Sequence, residues 1–283
     1  MPIGGVLTAM VTPFDADGRV DEDAAVALMH HLLENGSDGI VLAGTTGEGP
    51  TLTDDEKVGL WELAVAECGD ALVVAGTGSN DTAHTAHLTE AATRVGVDAM
   101  LVVTPYYNKP NRRGIVAHFE AVAAATDRPV IVYNIPSRCV VDIPNDLLRE
   151  LAQRIENVQA VKQANDDAIA PIDGMDLLAG NDDVFARTLD AGGTGGILVA
   201  SHLFGSEMRR MVDEPESRAE IHESLVDAFA ALAVASNPIP IKAALSMAGH
   251  AVGGLRLPMV EASEEEQAEI RSMLERHGLL SAV

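Results

Sequence analysis

The chain has 283 residues, of which 47% are hydrophobic and only 3% aromatic, and a formal charge of -24 at neutral pH. Its length and apolar share are enough to bury one large core, while so acidic a balance shows no basic face with which to grip nucleic-acid phosphates. Two cysteines, Cys68 and Cys139, form neither a disulfide framework nor a CxxC pair, and the start MPIGGVLTAMVTPF lacks the basic, apolar leader of an exported protein; with no long uninterrupted apolar run, a cytoplasmic chain outside the membrane is expected.

Eight short apolar runs follow in chain order: GVLTAMV from Gly5, GIVLAG from Gly39, ALVVAG from Ala71, DAMLVV from Asp98, PVIVYN from Pro129, VQAVKQ from Val158, MDLLAG from Met175 and GGILVA from Gly195. Each has strand length and is nearly continuous, the pattern of strands buried on both faces. Amphipathic stretches separate most of them and carry helix start signals, such as Thr53, Asp54, Asp55 and Glu56, or Asn80, Asp81 and Thr82. Strand then helix, eight times over, predicts an α/β fold of the (β/α)8 TIM-barrel type. The weakest unit is the one after Lys162, where ANDDAIAPID with its Pro171 leaves room for only a stub of helix. GGTGG at 192–196 precedes the eighth run and reads as a tight entry turn, not a phosphate cradle. Beyond about residue 205 no strand pattern appears; the NPIPIK turn at 237–242 and the charged run from Glu264 read as helices beside the barrel. The reading is a catalytic barrel over 1–224 with a C-terminal helical region over 225–283.

Active sites of such barrels form at the carboxyl ends of the strands. The residues that end the runs are Thr12, Thr45 with Thr46, Thr77, Tyr106 with Tyr107, Tyr133, Lys162, Asn181 with Asp182, and Ser201 with His202. Hydroxyls dominate, with one ammonium. A metal hydrolase needs three or four convergent His, Asp or Glu ligands, and only Asp182, Asp183 and His202 are available, so metal catalysis is not expected. His84 and His87, three apart on a predicted helix, have no third ligand and read as a solvated face.

Lys162 is the pivot. In the context Val-Gln-Ala-Val-Lys its ammonium is partly desolvated, which lowers its pKa and suits imine formation with a carbonyl substrate. The alternative is a buried lysine paired with an acid or snorkelling to water. Tyr133 is placed to relay protons, with Thr45 and Tyr107 linking it to solvent or substrate, although any tyrosine taken alone is more often a packed residue with a satisfied hydroxyl. The glycines of GTTGE at 44–48 surround Thr45 and Thr46 and offer N–H groups and hydroxyls to a small carboxylate, a weak signal by itself. Arg138, five residues past Tyr133, is either a fork for a second carboxylate or a surface ion-pair partner.

These residues lie in motifs that run along nearly the whole chain: TPF at 12–14, GTTGE at 44–48, GTGSN at 76–80, TPYYNKP at 104–110, YNIPSR at 133–138, Lys162 in its strand, and NPIPIK at 237–242. In them the chain resembles the dihydrodipicolinate synthase and N-acetylneuraminate lyase superfamily of pyruvate-dependent class I aldolases, and most of all its dihydrodipicolinate synthase branch. The resemblance implies that Lys162 forms the imine with pyruvate, that Tyr133, Thr45 and Tyr107 form a proton relay, and that Thr45 and Thr46 hold the pyruvate carboxylate. It further implies that Arg138 binds the carboxylate of L-aspartate 4-semialdehyde, that the product is 4-hydroxy-tetrahydrodipicolinate on the route to lysine and diaminopimelate, and that no cofactor takes part. Tyr107 would act across a dimer interface in a homotetramer built as a dimer of dimers. Sialic acid lyases and sugar-acid aldolases of the superfamily generally lack an arginine at the Arg138 position; a catalytically silent barrel that only binds a keto acid would not need Lys162, Tyr133, Thr45 and Tyr107 together.

The chain also departs from the pattern it resembles. Gln163, Ala164, Asn165 and Asp166 stand where Glu-Ala-Thr/Ser-Gly is usual, and Val140 stands where many relatives have glycine. Lysine-inhibited members carry Ser after GTTGE, His or Glu on the next helix and Glu on the helix after GTGSN; here those places hold Gly49, Lys57 and His84. Weak or absent feedback by lysine is expected.

Overall fold

In a computed structural model that describes residues 3–280, all eight expected strands form, β1 (Gly5–Ala9), β2 (Gly39–Leu42), β3 (Leu72–Gly76), β4 (Ala99–Val103), β5 (Val130–Asn134), β6 (Val158–Gln163), β7 (Asp176–Ala179) and β8 (Gly195–Leu198). They pair in chain order, all parallel, and β8 returns to β1 to close the barrel. The closure uses the glycines read as an entry turn: a Cβ on Gly195 would lie 2.2 Å from the Gly5 carbonyl oxygen, so the two strands meet only because no side chain stands there.

Helices alternate with the strands: α1 (Glu22–Glu34), α2 (Asp54–Glu67), α3 (Thr82–Val95), α4 (Arg112–Ala123), the short α5 (Pro136–Cys139), α6 (Asn145–Arg154), α7 (Phe185–Asp190) and α8 (Ser201–Asp213). The starts of α1–α4 follow from side-chain chemistry. Thr53 and Glu56 form a reciprocal capping box at α2, Asp81 accepts from the Ala83 N–H at α3, and Asn111 accepts from the Gly114 N–H at α4. After β6 the chain makes only a 3-10 turn, Asp166–Ala168, as the proline-bearing ANDDAIAPID segment predicts. Three further helices, α9 (Arg218–Ala231), α10 (Ile239–Met247) and α11 (Glu264–Arg276), pack on α8 and on one another; the expected division at 224/225 falls within α9. Among the described residues no helix is long and apolar enough to cross a membrane.

Two buried clusters divide the apolar residues. One lies between strands and helices; the other, with Leu7, Val41, Leu101, Ile131, Ala160, Leu178 and Ile197, fills the barrel interior. Alternation along a strand carries this second set upward: two residues past Ile131 is Tyr133, and two past Ala160 is Lys162. Because β5 and β6 pair Tyr133 with Lys162, both side chains arrive at the same level on the inner face, at the carboxyl end of the barrel.

Candidate active site

Lys162 is 5% exposed, and its Nζ sits 4.3 Å from the centre of the Tyr133 ring, a cation–π distance. A cavity of about 660 Å³ opens above them, lined by Thr45, Thr46, Tyr133, Arg138, Lys162 and Asp182 among others. Five of the six residues expected from the sequence therefore share one cavity. The sixth, Tyr107, does not: it is 88% exposed, has a left-handed φ of 72°, and borders neither this cavity nor its neighbour.

The electrostatics suit a nucleophilic amine. Burial pulls Lys162 down to about 8; the carboxylate of Asp182 works against this, and the like charge of Arg138 adds to it. Burial also pushes Tyr133 up to about 12, with Arg138 and the Thr45 side chain opposing, so the phenol keeps its proton at neutral pH. Asp182 is pushed up to about 6 by desolvation, although the Val199 and Ala200 N–H groups donate to it at 2.9 and 3.1 Å. By sequence Asp182 stands out only as a possible metal ligand; in the fold its place is that of the counter-charge to Lys162. Among the described residues no group of three or more His, Cys, Asp and Glu could hold a metal ion. Arg138 makes no ion pair among the described residues; its Nη2 donates to the Asn237 carbonyl at 3.3 Å, which leaves the guanidinium available to an anion in the cavity.

The other strand-end hydroxyls have structural duties. Thr12 Oγ1 donates to the Gly47 carbonyl at 2.6 Å, Thr77 pairs with Thr89 on α3, and Ser201 pairs with Thr8 on β1. His202 is buried and pushed down to about 4 by desolvation. Its Nε2 accepts from the Val11 N–H and its Nδ1–H donates to the Val199 carbonyl, so both ring nitrogens are occupied. His84 bonds the Asp54 carboxylate at 3.0 Å. Asn237, which sequence reasoning missed, donates from Nδ2 to Thr46 Oγ1 at 2.8 Å; its signal was the NPIPIK motif itself, which carries no chemistry until the fold brings it to the cavity.

The departures after Lys162 have a local explanation. Gln163 is fully buried, and its Oε1 accepts from Asn134 Nδ2 at 3.0 Å and from the Asn165 N–H at 3.1 Å. Asn134 also donates to Asp142 and accepts from the Ile143 N–H, so the ends of β5 and β6 are tied by side-chain amides where the pattern it resembles has a carboxylate.

Residues 2–277 match the model of the Dihydrodipicolinate synthetase family. The chain belongs to the dihydrodipicolinate synthetase family. A 4-hydroxy-tetrahydrodipicolinate synthase of Moorella thermoacetica is 44% identical over 99% of this chain and 100% of its own. Among solved structures of the dihydrodipicolinate synthetase family, the lysine-bound enzyme of Cyanidioschyzon merolae superposes with a TM-score of 0.95 at 39% identity, covering 98% of this chain and 99% of its own. The Acinetobacter baumannii dihydrodipicolinate synthase complexed with pyruvate gives 0.94 at 33% identity, over 98% and 100%.

Proposed function

We propose that this chain condenses pyruvate with L-aspartate 4-semialdehyde, through a Schiff base on Lys162, to give 4-hydroxy-tetrahydrodipicolinate. The observation that carries the reading is the buried amine of Lys162, lowered to about 8, facing Tyr133 in a cavity that also holds Thr45, Thr46 and Arg138. Full-length relatives named 4-hydroxy-tetrahydrodipicolinate synthase support the choice of substrates.

The neutral Lys162 Nζ adds to the pyruvate carbonyl carbon, forming a carbinolamine that loses water to become an imine. The protonated imine then draws electrons from the pyruvate methyl, which loses a proton to give an enamine. Tyr133, Thr45 and Tyr107 move these protons, Tyr107 reaching in from a neighbouring subunit of a homotetramer arranged as a dimer of dimers. Thr45 and Thr46 hold the pyruvate carboxylate. The enamine carbon attacks the semialdehyde, whose carboxylate rests on Arg138 through charge-assisted hydrogen bonds. The acceptor's amine finally displaces Nζ from the imine carbon, closing the ring and freeing the enzyme. The iminium serves as the electron sink, so the scheme calls for no cofactor. An enzyme of this kind takes small molecules as its only partners besides its own copies and works in the cytoplasm, away from nucleic acid and membrane.

Borohydride reduction with pyruvate should leave a mass adduct on the peptide carrying Lys162, absent in Lys162→Ala. In Arg138→Ala the adduct should persist while turnover of the semialdehyde falls by at least roughly tenfold, as expected for loss of hydrogen bonds to a charged group. Absence of the wild-type adduct would overturn the reading.

A further inference from the structure

The loop that carries Thr45 and Thr46 is anchored from outside the barrel. Glu48, at the end of that loop, adopts a left-handed φ of 54°, and its Oε1 lies 2.8 Å from Nζ of Lys242 on α10. The two side chains are only 2% and 3% exposed. Glu48 Oε2 accepts from the Arg256 N–H at 2.9 Å. Lys242 also donates to the Gly254 carbonyl at 2.6 Å and stands 4.2 Å from the centre of the Phe14 ring. Two charges taken out of water in this way are a poor source of stability compared with an apolar pair of the same size, but their directionality fixes geometry.

What they fix is the carboxylate-binding turn. The Glu48 N–H donates to the Thr45 carbonyl at 3.1 Å, and the Gly47 carbonyl accepts from Thr12, so the side chain of Glu48 is coupled to Thr45 and Thr46 through a closed stretch of backbone. A Cβ on the next residue, Gly49, would stand 2.1 Å from the Ala43 carbonyl oxygen, so the turn has no slack on that side. Asn237 donates to Thr46 Oγ1 from the same NPIPIK segment that supplies Lys242. The segment therefore grips the turn twice, and with Oγ1 acting as acceptor toward Asn237 the Thr46 hydroxyl proton is free to donate to a substrate.

We propose that the Glu48–Lys242 pair is a positioning device for keto-acid binding, holding Thr45 and Thr46 where they meet the substrate carboxylate and so making pyruvate affinity depend on the helical extension. The inference rests on the function proposed above. Glu48 and Lys242 line neither of the cavities beside Thr45; they act through the threonines.

The test is steady-state kinetics with pyruvate varied, beside melting temperatures, for Lys242→Met, Glu48→Gln, the paired variant and Lys242→Arg. Breaking the pair from either side should raise KM for pyruvate by roughly tenfold while kcat changes less than about threefold, the signature of lost ground-state and transition-state binding in equal measure. The paired variant removes both buried charges, so its melting temperature should recover above that of the single variants while KM stays high. Lys242→Arg keeps the charge opposite Glu48 and should raise KM less than Lys242→Met does. Recovery of KM together with melting temperature in the paired variant would show a role in stability alone and overturn the proposal, as would an unchanged KM in any folded variant that lacks the pair. If a single variant fails to fold, the paired variant decides. Trapping of pyruvate on wild-type Lys162 separates the two failures: with the adduct present, an unchanged KM sinks only the positioning role, and without it both readings fall.

Discussion

The lowered pKa on which the proposed role of Lys162 depends comes from the competition between burial, which disfavours its charge, and Asp182, which favours it. An amine with a pKa of about 8 is roughly one-tenth neutral at pH 7, against less than about one part in a thousand for an ordinary lysine. Below pH 8 the rate of borohydride-trapped imine formation at low pyruvate should therefore climb toward tenfold per pH unit, then flatten above it. Asp182→Asn removes a charge that holds the proton on Lys162, so the midpoint of that profile should move to lower pH. A shift upward, or a wild-type midpoint near 10, would contradict this balance. The backbone N–H groups of Val199 and Ala200 lose an ionic acceptor in the same variant, which should cost about 1–3 kcal/mol in unfolding free energy; measuring stability beside the profile keeps the two effects apart.

At the scale of elements, α2, α3 and the β3–α3 loop shape a second cavity of about 470 Å³ that shares Thr45, Tyr133 and Arg138 with the first. Lys57 of α2 is buried in its wall, 3.9 Å from Asp54, and Asp54 is also bonded by His84 of α3. Asp81 is occupied in capping α3. Asp54 and Asp81, the acidic residues of this wall, are thus both engaged, and neither is free to receive an ammonium. Free lysine titrated into an initial-rate assay should reach half-inhibition only above about 1 mM, which corresponds to binding weaker than about -4 kcal/mol; tighter inhibition would show that Lys57 and His84 do not block it. The elements themselves were legible in the sequence because each strand is a nearly continuous apolar run and several helices open on a local capping pattern, as at Thr53 with Glu56. The site was legible for Tyr133 and Lys162, whose places follow from strand alternation. Asp182, Asn237, Glu48 and Lys242 were not, since their roles depend on which distant segment each one faces, and nothing within a run of sequence records that the NPIPIK turn lies against GTTGE.

Over the whole molecule, Tyr107 stands apart from the other residues of the proposed relay. One chain builds a cavity with Tyr133, Thr45 and Lys162, yet leaves the third hydroxyl of the proposed relay on an exposed, left-handed backbone position outside it. A solvated tyrosine held in that conformation gains nothing for its own chain, whereas an isologous dimer would place it in the partner's cavity and receive the partner's in return. Complementation distinguishes the two arrangements. Lys162→Ala leaves Tyr107 intact but supplies no amine, and Tyr107→Phe keeps the amine but supplies no phenol. Co-expressed in equal amounts, the two variants would, in the proposed assembly, form hybrid dimers in which one site combines the intact Lys162 of one chain with the intact Tyr107 of the other. Random pairing makes such sites about a quarter of the total, so activity should return to about a quarter of wild type, well above the sum of the two variants alone. If each chain used its own Tyr107, no hybrid site would be complete and activity would stay at the level of the separately purified variants. A co-expressed pair that sediments as a monomer and shows no recovery would remove both the shared site and the assembly that depends on it.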